Sequence, residues 1–363
     1  MGPPQSVRGN STSNSVPVSR RGARAVSGRT EYYPVGERRL RGASAAASRP
    51  YKPSLRTQLG YVSNVPTPPI DNVDYALLLS TLQPLLDLVN EFVEGAQEIM
   101  GSRAGLPGAD GRMIHDISNE VAFVDAERLA QPIESVQMAA TLACFAAQES
   151  LASLARLMLT GPPPPIFSAD VLCRSAIDAS RSAWWLTEPG LSTEHRVQRF
   201  VAENVYSADE MLKLTSEPDV KARGREIRDQ LAEYASARDW PIGKSDGALT
   251  VGPQTRPTVR AFLEAEFGDP VAAHVTWSHL SAVTHGALHG LVQAIDVQTA
   301  VDGVAIMGTT TEVMSARLEI AATVVLSATM RLLRYAGWAT DEIDAVATRI
   351  SAELQTRARR RLV

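Results

Sequence analysis

Regular spacing of apolar residues begins abruptly at Asp71. The stretch DNVDYALLLSTLQPLLDLVNEFVEGAQEIM repeats them at helical intervals, opens on an Asp and meets a Gly at 101. It predicts one long helix with a kink before Pro84. A glycine-rich loop (101 to 111) leads to a weaker helix over Met113–Leu129. Pro132 then opens a strongly apolar, alanine-rich helix running to about Thr160, where Gly161 and four prolines (162 to 165) end it in a short rigid spacer. Ser168-Ala169-Asp170 predicts the cap of a helix to Leu186, Ser192-Thr193-Glu194 that of a helix to about Thr215, and Pro218 the start of a charged helix to Ala237. Residues 241 to 257 read as a Gly, Ser and Asp-rich loop. Val259–Phe267 and a histidine-bearing segment from Gly268 read as helices. Residues 294 to 311 carry β-branched residues and two glycines and predict a short hairpin or a loop. Helices over Glu312–Ala336 and Asp341–Arg361 close the chain. With so little strand signal the expected fold is all-α, a helical bundle forming a single domain over residues 71 to 363.

Residues 1 to 70 have no apolar periodicity. They mix Arg, Ser, Gly, Ala and Pro, cannot bury enough surface to offset their ordering entropy, and predict a disordered basic tail. The tail reads as a linker or as a basic arm that touches nucleic acid or an acidic partner. Its charge changes the picture of the rest. The chain of 363 residues carries -4 overall, but the first sixty residues hold eleven basic and two acidic side chains, which leaves -13 on the remainder. An acidic body excludes a broad nucleic-acid footprint and allows only a local patch or the tail. The two cysteines, Cys144 and Cys173, sit among small or apolar residues and predict buried thiols, with neither a disulfide framework nor a cysteine metal knuckle. The apolar stretches Met138–Leu159 and Ile320–Met330 are interrupted by charge or too short to span a bilayer. No membrane contact is expected, and the chain reads as cytoplasmic. Arginine outnumbers lysine 32 to 4, a bias of GC-rich bacterial genomes.

Three groups of residues could carry chemistry. Arg174, Asp178 and Arg181 share a helix face at i, i+4 and i+7, with Trp185 a turn further on, and suit an anion held by two guanidinium groups that a carboxylate orients. Arg196, Arg199, Glu203 and Tyr206 line one side of the next helix opposite Val197, Val201, Val205 and Leu212, a pattern that favours a solvated flank. Four of the six histidines fall within sixteen residues. If Gly268–Asp296 is one helix, His274, Ser278, Ser281, His285 and His289 project within roughly 80° of arc. His285 and His289 then stand at the i, i+4 spacing that lets two imidazoles share a metal, with His274 or an acid completing the set of a metal-dependent hydrolase. THGALHG lacks the glutamate of HExxH, so the metalloprotease base is missing. Alternatively His285 serves as an acid or base, or the imidazoles only bond within the bundle, with His279 a packing residue. Ala282, Gly286 and Gly290 form a small-residue line on which a homo-oligomer could pack. No cofactor is expected: G-x-G-x-x-G after a strand, G-x-x-x-x-G-K-[ST] and G-x-S-x-G are all absent.

Two patches, RSAIDASRSAWWLTEPGLSTEHRVQRFVAENVYSADEMLKL (Arg174 to Leu214) and WSHLSAVTHGALHGL (Trp277 to Leu291), resemble uncharacterised helical proteins of GC-rich bacteria that are similar in plan to the HEPN superfamily. Many of those domains are RNA-cleaving toxins or phage-defence effectors. The resemblance implies a polar cluster of Arg174 and Asp178, Arg196 and Arg199, and Ser281 with His285, forming one buried pocket for RNA or a protein partner. The family's nucleases carry an Arg with a His four to six residues later. No histidine here follows an arginine at that distance, so the resemblance implies a non-catalytic binding protein in a stress or defence role.

Overall fold

The computed structural model describes residues 72–103, 106–159, 166–214, 216–287, 296–298, 306–308 and 311–360. The predicted tail, the proline spacer at 162 to 165, His289 and Gly290 lie outside the described residues. The fold is all-α with a small antiparallel sheet. In chain order the helices are α1 (Asn72–Arg103), α2 (Arg112–Asn119), α3 (Pro132–Met158), α4 (Ile166–Leu186), α5 (Thr193–Leu214), α6 (Pro218–Ser236), α7 (Val259–Phe267), α8 (Pro270–Thr284), α9 (Thr311–Ala336) and α10 (Asp341–Arg360). Strands β1 (Ile242–Ser245), β2 (Ala248–Val251) and β3 (Gln254–Thr255) lie between α6 and α7, while β4 (Asp296–Gln298) and β5 (Ile306–Gly308) pair antiparallel between α8 and α9.

The core forms where α3, α4 and α9 meet, with α1 and α10 laid against them. α3 turns Ile133, Val136, Ala140, Cys144, Ala147, Leu151, Leu154, Ala155 and Met158 inward. These meet the Ala169, Cys173, Ala176, Ile177 and Ala183 face of α4, small side chains that let the two backbones come close. α9 buries residues around most of its girth, from Met314 and Leu318 to Leu333 and Ala336. Gln148 Nε2 donates to Thr329 Oγ1 at 3.1 Å, a polar tie between α3 and α9 inside that core. α3 and α9 are each long and apolar enough to cross a membrane by length and composition, α9 over Val313–Ala336, which corrects the shorter span expected from Ile320–Met330. About half of each apolar window is buried inside the protein, 50% and 56%.

Several boundaries differ from expectation for identifiable reasons. α1 runs through Pro84 without ending, because Leu82, Leu85, Leu86 and Val89 on either side are fully packed. The helix expected over Met113–Leu129 stops at Asn119. A 3₁₀ turn (Glu120–Phe123) follows, its Glu120 Oε2 accepting from Ile133 N at 2.9 Å and capping α3 from outside. α4 begins at Ile166, ahead of the expected cap, and Asp170 is thereby released for an ion pair. The expected loop at 241 to 257 is a three-stranded meander. Asp246 (φ 49°) and Gly247 (φ 79°) both occupy the left-handed region that a two-residue hairpin turn requires, and Ile242–Ser245 pairs with Ala248–Val251 across it. Leu249 and Val251 bury the meander against α5.

Candidate functional site

The two arginine helices meet where α4 ends. The last carbonyls of a helix lack intrahelical donors and need partners from elsewhere. Arg196 Nη1 donates to Leu186 O at 2.6 Å and Nη2 to Glu188 O at 3.3 Å, and Arg199 Nη1 donates to Trp185 O at 2.6 Å. The α5 guanidiniums therefore close the C-terminus of α4. Arg196 Nε donates to Asp116 Oδ2 at 3.0 Å while Thr193 Oγ1 donates to Oδ1 of the same carboxylate at 2.8 Å, and the guanidinium lies 4.2 Å from the Tyr335 ring centre. Both Arg196 and Asp116 are fully buried. Burial also pushes the Tyr335 hydroxyl well above its ordinary range, so it stays neutral there.

The solvated flank expected for α5 is thus overturned. Its apolar side enters the core, and its charged side is covered by the end of α4, by α2 and by the meander. Arg199 also pairs with Glu188 and donates through Nε to Gln254 Oε1 of β3 at 2.7 Å. Arg181 turns away from Arg174 to Glu203 at 3.1 Å, and Arg256 pairs with the other oxygen of Glu203 at 3.0 Å while lying over Tyr206. Burial lowers the pKa of Arg181 and of Arg199, with the paired acids opposing the shift. These groups fasten four elements together and have most of their donors engaged by protein.

A second polar centre lies on the seam where α8 packs against α4. Arg174 stands over the Trp277 ring at 4.7 Å, with Nε 3.5 Å from Asp178 Oδ2, and its Nη1 is buried without a hydrogen-bond partner. One turn earlier on α4, Asp170 pairs with Arg317 of α9 and lies 3.5 Å from His279 Nε2, which likewise makes no hydrogen bond. Spacing had pointed to His279 as a packing residue; the fold gives it a carboxylate neighbour instead.

Asp269 caps α8, accepting from Val271 N and Ala272 N, and the helix ends at Thr284. His285 is its exposed C-cap, and Gly286 at φ 65° turns the chain away. A single helix from Gly268 to Asp296 is therefore corrected, and His285 sits past the end of the helix that carries His274, while His289 lies outside the described residues. His274 and Ser278 are exposed and Ser281 is half-buried, so the histidine line faces outward rather than into a pocket. The small-residue line is broken by the same turn, and Ala282 is already buried. Among the described residues no three His, Cys, Asp or Glu side chains are gathered as metal ligands.

The structure accordingly brings Arg174 and Asp178 to the Trp277 patch. It draws Arg181, Arg196 and Arg199 into separate ion-pair groups. Reasoning from sequence missed Asp116, Arg256, Arg317 and the α9–α10 cluster, in which Arg357 holds Glu319 at 2.8 Å and Ser315 Oγ at 2.9 Å, and it placed Asp170 only in a helix cap and Glu203 only on a solvated flank. Only Arg256, preceding a Pro-Thr helix cap, carried a local signal; the others meet partners on other elements, from 22 residues away for Glu203 and Arg181 to 147 for Asp170 and Arg317. Both thiols are buried, and desolvation pushes each up to about 12. In comparison with known proteins the chain matches no family model, and no curated protein or solved structure is significantly similar to it.

Proposed function

We propose that this is a non-catalytic, HEPN-like helical protein that binds RNA in a stress or defence role, and that the α4–α8 seam is its contact surface. The observation that carries the reading is Arg174, whose guanidinium is stacked on Trp277 while a buried Nη1 has no acceptor within the protein. The accessible part of the Arg174 side chain, 16% exposed, offers positive charge to an RNA phosphate at the seam, and unpaired bases stack on aromatic rings and guanidinium planes. Beside it the exposed His274, Ser278 and His285 and the half-buried Ser281 offer donors to phosphate and ribose hydroxyls. A compact contact of this kind suits an acidic body, because only a few phosphates are neutralised.

The test is fluorescence anisotropy of the full chain with a labelled mixed-sequence single-stranded RNA at about 50 mM salt. Saturable binding is expected, weakened about tenfold in Arg174→Ala, a loss of about 1.4 kcal/mol. His285→Ala should abolish binding while leaving the melting temperature unchanged. Absence of binding at low salt, or unchanged affinity in both variants, overturns the reading, and a protein co-purifying in place of RNA would redirect it to that partner.

A further inference from the structure

α3 has a second face that the bundle does not use. Its inward residues repeat from Ile133 to Met158, and directly opposite them runs a straight line of Gln131, Ser135, Met138, Leu142, Phe145 and Glu149, continued by Arg156. No charged residue occurs between Glu134 and Glu149. Leu142 is 61% exposed and Met138 41%, Ala146 is exposed, and Phe145 is half-buried. Beside the line, Phe200 of α5 and Ala139 border a groove of about 390 Å³. A helix apolar around its whole girth is one that is covered all round, and here Met138, Leu142 and Ala146 on the outer side are left exposed among the described residues.

We infer that α3 is a dimerisation helix and that the occupant of this face is α3 of a second copy, packed antiparallel. The charges select that occupant and its direction. Glu134 at one end of the apolar line and Arg156 at the other lie on the same flank, and neither has an ion-pair partner among the described residues. A parallel pair sets Glu134 level with Glu134 and Arg156 level with Arg156 on opposite flanks and forms no ion pair between them. An antiparallel two-fold near Phe145 sets Glu134 of each copy beside Arg156 of the other, twice, with both ion pairs at the rim and the aromatic rings meeting at the centre. At the shallow crossing of about 20° usual in bundles, the helices stay close enough for the long arginine to span them. In this register Glu149 falls near the partner's Leu142, which keeps the pair weak. A single helix pair belongs to the small class of interfaces, below about 1,200 Å² in total.

Sedimentation equilibrium of the full chain decides the matter. The weight-average mass should climb from monomer toward dimer over concentrations on the order of 10–100 µM. Leu142→Glu, at an exposed position that the fold does not need, should remain monomeric with an unchanged melting temperature. Glu134→Arg and Arg156→Glu should each weaken the dimer at least about fivefold, and the double variant should restore it, since only a contact between these two sites across copies is repaired by exchanging the charges. A wild-type chain that stays monomeric throughout the range overturns the inference. So does a dimer that Leu142→Glu leaves intact, or single charge variants whose loss the double variant does not repair.

Discussion

Arg196 and Asp116 are both fully exluded from solvent, and everything around them is arranged to accept that cost. A buried ion pair contributes little over an apolar pair of the same shape, yet losing one partner leaves a bare charge in low dielectric. Arg196→Ala is therefore expected to destabilise the protein by about 2–4 kcal/mol, because Asp116 loses its buried counter-charge and keeps only the exposed Arg112 at 3.5 Å, and Leu186 and Glu188 lose a carbonyl partner. Urea unfolding measures this; a loss below about 1 kcal/mol would show that solvent reaches the pair. His285→Ala, at an exposed helix end, should change stability by less than about 0.5 kcal/mol. The contrast between the two variants separates the arginines that hold the bundle from the residues proposed to meet RNA. None of this was legible from spacing. At the α5 positions the pattern of charge opposite an apolar face correctly located the apolar side, but whether the charged side met water depended on α2, the end of α4 and the meander.

At the scale of elements, the α1–α2 loop crosses the end of α9 in direct backbone contact, Gly108 N donating to Ala336 O at 2.7 Å. Gly111 lies so near Ala336 and Gly337 that a Cβ built on it would come within 2.5 Å of their backbone, and Gly337 itself sits at φ 72° to end α9. Gly111→Ala must push two backbones apart and should prevent folding or lower the melting temperature by at least about 3 °C, a loss of about 2 kcal/mol or more for a chain of this size. Gly101, in the exposed last turn of α1 with nothing within 4 Å of its Cβ position, provides the opposite case. Gly101→Ala should stabilise by about 0.5–1 kcal/mol through helix propensity alone. Thermal melts of both variants check the pair, and equal effects would contradict the close approach. The sequence marks both glycines as breakers of periodicity. Only the neighbour that α9 supplies distinguishes them.

Across the whole molecule, the buried groups that ionise at high pH act together. Cys144 and Cys173 are raised by burial from an ordinary value of 9.0 to about 12, and Tyr234 from 10.0 to about 12, chiefly by desolvation. The unfolded chain releases these protons from about pH 9 upward while the folded chain keeps them, so the unfolding free energy falls with pH. Stability that is fully present below about pH 9 should be lost progressively between about pH 9 and about pH 12. Denaturant melts across that range, with the tyrosine absorbance followed in parallel, give the measurement; a flat profile would mean that the phenol and thiols reach solvent. For the same reason a thiol reagent at neutral pH should label neither cysteine in the native protein and both in urea.

The sequence by itself determined the all-α class, the extents of α3, α7, α9 and α10 to within two residues, the buried state of the thiols and the acidic body, because each follows from periodicity, helix caps or composition within a short window. It also held the Asp246-Gly247 turn of the meander, whose apolar flanks were too short to stand out. The tertiary structure alone decided that Arg181, Arg196 and Arg199 belong to three different ion-pair groups, that α8 ends at Thr284 before the histidine line is complete, and that α3 keeps an apolar face outside. Which face a helix buries is local information. Which partner covers it, and whether any does, depends on contacts between residues far apart in the chain, and those set the burial, the charge pairing and therefore the chemistry open to each side chain.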